Sequence, residues 1–324
     1  MAARVTTLND LITTAVVTYG ENPLFGTRAG DGDWDWMTYA AFGESIEKAR
    51  GGLASLGVGA GDRVAIISDN RIEWAVGAYA TYTLGAAWVP MYEAQTQKDW
   101  KYILGDSGAK VVFAATDGIR AQIEEVKGDL PNLESIVVIV DPAGGEAIDY
   151  TELLARGAEN PAPVAVVDEK DLAGLIYTSG TTGNPKGVML SHDNFASNVT
   201  ALGEIFPLEQ DDRSASFLPW AHSFGQTIEL HYLISQGCST GLTSAATLTR
   251  DMPEIKPTIL VSVPTVFNKV YDGLQKLMDD EGGVKKAMFD AAVANARKRE
   301  QMAKRGKRSR WVDLQSDLFD KLVF

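Results

Sequence analysis

The chain has 324 residues, 45% of them hydrophobic, enough to bury a large core in one domain or two. Its 30 basic and 43 acidic residues give a net charge of −13, which argues against a nucleic-acid partner. A single cysteine, Cys238, rules out an internal disulfide and suits a reducing cytoplasm; its apolar-flanked Gly-Cys-Ser-Thr setting predicts a buried, inert thiol rather than a nucleophile.

The chain starts Met1-Ala-Ala-Arg-Val-Thr-Thr, without the apolar core of a signal peptide. Thr38 can cap a helix whose apolar positions Tyr39, Phe42, Ile46, Ala49, Leu53 and Leu56 recur in steps of three and four. Gly57 can end it, and Gly61-Asp62 turns the chain into a strand over Val64–Ile67. Asn70 can cap the next helix. The run Trp74–Tyr92 approaches membrane-spanning length, but Thr81, Thr83, Gly85 and Pro90 interrupt it. It divides into a buried helix through Leu84 and a strand over Ala86–Val89. Further strands are predicted at Val111–Ala114, Ile136–Val140, Leu172–Tyr177, Val188–Leu190, Ser214–Leu218 and Ile259–Val263, with helical stretches between most of them. Short continuous apolar strands separated by helices predict an α/β fold with parallel sheet covered on both faces. Pro161 and Pro163, within Ala158–Asp168, mark a linker between an α/β subdomain over 1–160 and a second over 161–324. No internal repeat or long low-complexity tract is visible.

The segment 177–192 reads Tyr-Thr-Ser-Gly-Thr-Thr-Gly-Asn-Pro-Lys-Gly-Val-Met-Leu-Ser-His. A tight turn between two buried strands has no use for so many hydroxyls, whereas a polyphosphate does. Gly180 and Gly183 allow backbone N–H groups to approach a ligand, and successive N–H groups make an anion-binding concavity. Thr178, Ser179, Thr181 and Thr182 supply hydroxyls, and Lys186 a mobile positive charge. The common phosphate loop has glycine before its lysine and a hydroxyl after it. Here Pro185 precedes Lys186 and Gly187 follows, so the loop is of another kind. A flexible surface loop is the competing reading; the ordered Pro-Lys-Gly and the flanking strands weigh against it.

This segment resembles the phosphate-binding signature of the adenylate-forming superfamily, which includes acyl-CoA synthetases, luciferases and peptide-synthetase adenylation domains. Met37-Thr38-Tyr39, Gly59–Ile67 and Leu84–Tyr92 resemble its earlier motifs in the same order. Phe217-Leu-Pro-Trp-Ala-His-Ser-Phe224, Ile259–Phe267, the basic stretch 284–310 and Asp317–Leu322 resemble its long-chain fatty acyl-CoA synthetase branch. The resemblance implies two mostly parallel sheets layered with helices. It also implies that the adenine-binding motif, ribose aspartate, later barrel and C-terminal domain of full-length members lie beyond this sequence. It implies further that the 324-residue chain alone makes no acyl-CoA.

The implied reaction consumes ATP, a fatty acid and coenzyme A with Mg2+, through an acyl-adenylate. By resemblance, Thr181 meets Mg2+ and the β- and γ-phosphates, Lys186 steadies the polyphosphate, and His222 lies near the acyl and nucleotide pocket. A structural histidine bonded to backbone is the other reading of His222. Trp220, Ser223 and Phe224 are candidate substrate contacts, with plain packing the alternative for the aromatic residues. His192 is expected to cap or orient local structure and His231 to lie in the core. Val263-Pro264-Thr265 either approaches the substrate or simply opens a helix.

Between Val284 and Arg310 there are ten basic residues and two acids. Val284, Ala287, Met288, Ala291 and Ala294 share a helical face there. The stretch is either a solvated helix or a contact for anionic lipid, giving a cytoplasmic protein with peripheral membrane contact as one outcome. Activation of a different carboxylic acid, and a non-catalytic anion-binding module, remain the rival functions.

Overall fold

The structure is a computed structural model describing residues 5–30, 32–140, 147–178 and 183–322. The chain divides into two compact units, Met1–Val261 and Ser262–Phe324.

The first unit opens with α1 (Leu8–Tyr19) and the antiparallel strands β1 (Pro23–Arg28) and β2 (Trp34–Thr38). Thr38 caps α2 (Tyr39–Ser55) as expected, its hydroxyl accepting from the Ala41 amide. Then follow β3 (Arg63–Ile67), α3 (Ile72–Thr83), β4 (Ala87–Met91), α4 (Gln97–Ser107), β5 (Val111–Thr116), α5 (Asp117–Val126), β6 (Ser135–Val140), β7 (Ile148–Asp149) and α6 (Tyr150–Glu159). After the proline linker come the hairpin β8 (Leu172–Thr178) and β9 (Lys186–Ser191), then α7 (His192–Ile205) and β10 (Arg213–Ser216). A short α8 (Ser223–Gly225) runs into a π-helix (Gln226–Tyr232) and α9 (Leu233–Gln236), followed by β11 (Ser239–Leu242) and α10 (Leu248–Ile255).

Among the described residues the strands form two sheets, ordered β10-β11-β1-β2 and β7-β6-β5-β3-β4-β8-β9. Both are parallel except for the pairs β1–β2 and β8–β9. The larger sheet is covered on both faces. Val64 and Ile66 of β3 join one core, whereas Ala65 and Ile67 join the other against α4 and α5. The period-2 alternation thus sorts apolar residues between two cores, and the inner strands β3, β4 and β5 read as nearly continuous apolar runs. Helix α3 lies in the layer between the sheets. Trp74 on it stacks edge-on against Trp88 of β4 at 5.4 Å and against Trp220 at 5.6 Å, and Trp220 reaches Phe25 of β1 at 5.7 Å. The run 74–92 is therefore buried helix, turn and strand. No described helix is long and apolar enough to cross a membrane.

Three differences from the sequence reading have physical causes. Strands β1, β2, β7 and β11 were not anticipated: Gly, Thr, Asp and Ser interrupt the apolar pattern of three of them, and β7 is only two residues long. Ile259–Val263 contributes only the bridge of Ile259 to Ser214, at the edge of β10, instead of a strand. Helix α3 starts after Arg71 with no side-chain cap, and Asn70 turns to Leu218 and Trp220 instead. The position 160/161 falls within the first unit, and each sheet draws strands from both sides of it.

Helices α2 and α6 approach through glycines. A Cβ on Gly52 would stand 2.3 Å from Leu153 O, and one on Gly157 would stand 1.7 Å from Lys48 O.

The second unit comprises α11 (Pro264–Glu281), α12 (Gly283–Lys304) and α13 (Arg310–Leu322). On α12 the buried face is Phe289, Ala292 and Asn295, with Asn295 donating to Val312 O at 3.3 Å. This corrects the expected face by about one residue: Val284 is 76% exposed, and Ala287, Ala291 and Ala294 face solvent.

Gly157→Ala is expected to cost about 3 kcal/mol, because two helix backbones must separate. Gly30→Ala, with nothing within 4 Å of its Cβ position, should stay within about 0.5 kcal/mol. Urea midpoints of the two variants check this.

Candidate active site

The hydroxyl-rich turn joins β8 to β9. Thr178 and Lys186 are exposed cross-strand partners at its base. Gly183 has φ of 127°, a backbone region that an L side chain resists, with open space at its Cβ position. Ser179, Gly180, Thr181 and Thr182 lie outside the described residues, and with them the expected hydroxyl contact to magnesium.

The base of the turn is held by a contact the sequence did not advertise. Tyr177 OH donates to Asp106 Oδ2 of α4 at 2.7 Å. Its ring crosses Gly187 on β9, where a Cβ would meet the ring at 3.0 Å. Burial, followed by the Asp106 carboxylate, raises the phenol well above its usual range, so it stays a donor at any working pH. The glycine after Lys186 therefore makes room for the clasp.

Strand β9 was expected to be buried. It is instead the edge of the larger sheet, with Val188 43% and Met189 68% exposed. An apolar triplet cannot by itself distinguish an inner strand from an edge strand.

Beyond β9, Ser191 and Asn194 form a reciprocal capping box at the start of α7. His192 is fully buried there, and its Nδ1 accepts from the Leu8 amide at 3.2 Å. Burial pushes its pKa down to about 4, although Asp171 and Asp10 oppose the shift. It ties α7 to α1. His231, on the π-helix, is also fully buried, with Nδ1 2.8 Å from Tyr79 OH. Burial pushes it to about 3.

A cleft of about 630 Å³ opens between α7 and the segment around α8. Leu190 of β9 lines it, with Asn194, Phe195, Asn198 and Leu202 from α7 and Ser223, Phe224, Thr227 and Ile228 opposite. The α7 residues recur in near-helical steps, a signal visible in the sequence but not assigned to a ligand. Two of the predicted substrate residues, Ser223 and Phe224, are in this wall. Trp220 is not: it is fully buried, and its indole Nε1 donates to Ser216 Oγ at 3.2 Å. His222 is exposed and bonded to backbone, its Nδ1 accepting from the Phe224 amide at 3.2 Å as the cap of α8. Leu190 and Lys186 sit four residues apart on β9, about 13 Å along the strand. One strand thus serves both the lysine-bearing turn and the apolar cleft.

Cys238 is buried, its thiol pushed up to about 12, chiefly by burial, which removes it as a nucleophile. Among the described residues no group of three or more His, Cys, Asp or Glu is placed to hold a metal.

A doubly covered α/β sheet ending in a lysine-bearing hairpin, with layered helices and a second sheet, is the N-terminal architecture of adenylate-forming enzymes. Residues 13–313 match the AMP-binding enzyme family, and the chain belongs to it. It is 36% identical over 305 residues to the long-chain-fatty-acid–CoA ligase FadD15 of Mycobacterium bovis, covering 92% of this chain and 50% of that protein. The chain thus spans about half the length of the curated relatives it matches. The structure of ATP-bound MatB from Rhodopseudomonas palustris matches with a TM-score of 0.67 at 25% identity, covering 81% of this chain and 50% of that one. An anthranilate CoA ligase, AuaEII, in complex with anthranoyl-AMP shares the fold with a TM-score of 0.72 at 23% identity, over 81% of this chain and 50% of that one.

The two buried histidines make stability depend on pH. Their folded pKa values lie below the unfolded value of 6.5, so their contribution is complete above that value. It is lost as pH falls toward about 4 for His192 and about 3 for His231. His231→Gln, which keeps an acceptor for Tyr79, should flatten the acid limb by about 1.4 kcal/mol per pH unit. Denaturant midpoints from pH 7 to pH 4 measure it.

Proposed function

We propose that this chain supplies the polyphosphate loop and acyl cleft of a long-chain fatty acid–CoA ligase. The carrying observation is that β9 bears both: Lys186 opens the strand, and Leu190 lies in the apolar cleft. In the first step a fatty carboxylate oxygen attacks the α-phosphorus of ATP, and the bond to pyrophosphate breaks. In the second, the thiol of coenzyme A attacks the acyl carbon, AMP leaves, and the thiol proton passes to solvent. The first step spreads charge over phosphate oxygens, so fixed donors and a cation serve it better than a protein nucleophile. Thr178, Gly183 and Lys186, with Ser179, Gly180, Thr181 and Thr182, are the proposed donors. The Thr181 hydroxyl is the proposed contact for magnesium, which would neutralise charge on the phosphate oxygens. Ser223 and Phe224 line the acyl path. His222, exposed at the head of α8, is proposed to meet the ligand from solvent.

Support comes from the family, from the fatty-acid ligase relative and from the ATP-bound neighbour. An apolar cleft with a few polar groups is what a long carboxylate requires. The amide side chains of Asn194 and Asn198 in the wall keep a shorter or more polar acid in view, and a chain-length series decides between them.

Calorimetry with ATP should show Lys186→Ala weakening binding by at least about tenfold, about 1.4 kcal/mol. Thr227→Trp, which fills the cleft, should weaken a fluorescent long-chain fatty acid by a similar factor and leave ATP binding unchanged. Unaltered affinity in either case removes that half of the proposal.

The basic stretch 284–310 is proposed as a contact for anionic lipid, consistent with a cytoplasmic protein that meets the membrane peripherally. Lys285, Lys286, Arg299 and Lys304 make ion pairs. Lys298, Arg305, Lys307, Arg308 and Arg310 make none among the described residues, and each such charge adds about 1 kcal/mol at an anionic surface. The chain should sediment with vesicles containing anionic lipid and not with neutral ones; equal binding to both, or none, rejects the contact.

A further inference from the structure

Beneath the turn 217–222 sits a buried carboxyl group that the proposed chemistry does not use. Glu229, on the π-helix, is fully buried, and its Oε2 accepts from Ser216 Oγ at 2.5 Å. The Ser216 oxygen in turn accepts from Trp220 Nε1 at 3.2 Å and from Asn70 Nδ2 at 3.5 Å. Asn70 closes the network: its Nδ2 donates to Leu218 O and its Oδ1 accepts from the Trp220 amide, both at 2.8 Å. A hydroxyl has one proton and two lone pairs. Ser216 commits the proton to Glu229 and the lone pairs to Trp220 and Asn70, so Glu229 sets the direction in which this hydroxyl faces.

The turn held in this way runs straight into the cleft wall. His222 N donates to Pro219 O at 3.1 Å, and Gln226 N donates to His222 O at 2.9 Å. Gly225 packs so close to the turn that a Cβ would stand 2.5 Å from Pro219 O. A shift of the turn therefore moves Ser223 and Phe224.

We propose that Glu229 is a positioning residue for the cleft, holding Ser216 and, through it, Trp220 and Asn70, so that Ser223 and Phe224 present a wall fitted to an apolar carboxylate. The proposal rests on the reading of the cleft as an acyl site. Glu229 holds the turn in its neutral form. Burial pushes its pKa up to about 8, against opposing hydrogen bonds from Ser216 and the Leu218 backbone. Its Oε1 has no partner among the described residues, so a charge on the carboxylate would be only partly compensated.

Four buried titratable groups on its own helix and the neighbouring ones are shifted away from the range of Glu229. Tyr79 and Tyr82 of α3 are pushed up by burial. His192 of α7 and His231 of its own helix are pushed down by burial to about 4 and about 3. Asp69 and Arg71 flank Asn70, Arg213 lies at the far end of β10, and Asp193 and Glu204 lie on α7. His222, beyond α8, faces solvent.

The test uses the whole chain, as wild type and as E229Q, whose amide keeps an oxygen for Ser216 and cannot ionise. A fluorescent long-chain fatty acid is titrated from about pH 6.5 to about pH 9.5, a range in which the ionisation of the group pushed to about 8 falls. Wild-type affinity is expected to drop about tenfold across this range, whereas E229Q holds its affinity. The same pH dependence in both overturns the proposal. Hydrogen exchange over 214–226 is read at each pH without ligand, where wild type should open above about pH 8 relative to E229Q and E229A should be open throughout. Equal exchange in wild type and E229Q at every pH also overturns the positioning role. If the probe fails to bind at any pH while exchange follows the expected pattern, the acyl reading falls and the positioning role stands.

Discussion

Helix α3 is surrounded by protein, with ten of its twelve residues buried, and the rest of the first unit is arranged to cover it. One side of it faces β4 of the larger sheet, where Gly77 leaves the space that Trp88 fills; a Cβ there would come within 2.8 Å of the indole. The other faces Trp220 and, through it, Phe25 of the smaller sheet. A helix this deep must satisfy its own polar groups. Thr81 and Thr83 do so by bonding back to Gly77 O and Tyr79 O at 2.7 and 2.8 Å. The indole N–H groups of Trp74 and Trp88 find no partner among the described residues, a cost of about 1–3 kcal/mol each that the ring packing must exceed.

That constraint explains where chemistry can occur. Inner strands of a doubly covered sheet have no free face, so a ligand can be met only at strand ends, at the edge, or where helices part. The β8–β9 hairpin lies at the edge, tied to α4 by the Tyr177–Asp106 bond. The cleft opens where α7 and the π-helix segment separate, and a π-helix is a common departure from regular geometry near functional sites. Its walls come from 190–202 and 223–228, which are brought together by packing rather than by chain proximity.

Much of this was legible in the residues. The capping threonine at 38, the helix–turn–strand split of 74–92, the core strands and the loop signature rest on local rules: periodicity, capping and turn chemistry. What the residues did not reveal has a different cause. Asn70 has the side chain of a helix cap, yet a bond to a residue 148 positions away took precedence over the local one. Trp220 and His222 lie two residues apart and both were offered as substrate contacts; one is fully buried and the other exposed, a difference that residue type does not give. Glu229 resembles any acidic residue on an amphipathic segment, and nothing near it in the chain reveals that it is sealed beneath Ser216.

The sequence alone determined the fold class, the family and the place of the hydroxyl-rich turn. Those depend on residue type and spacing over stretches short enough for local geometry to govern. Only the tertiary structure decided that β9 is an edge strand, that α7 supplies one wall of the cleft, and that Asn70, Ser216 and Glu229 form one network. Such contacts join residues of different segments of the chain, from 13 positions apart for Ser216 and Glu229 to 148 for Asn70 and Leu218. Their free energy arises from burial and shared hydrogen bonds, and neither exists until the chain has closed on itself.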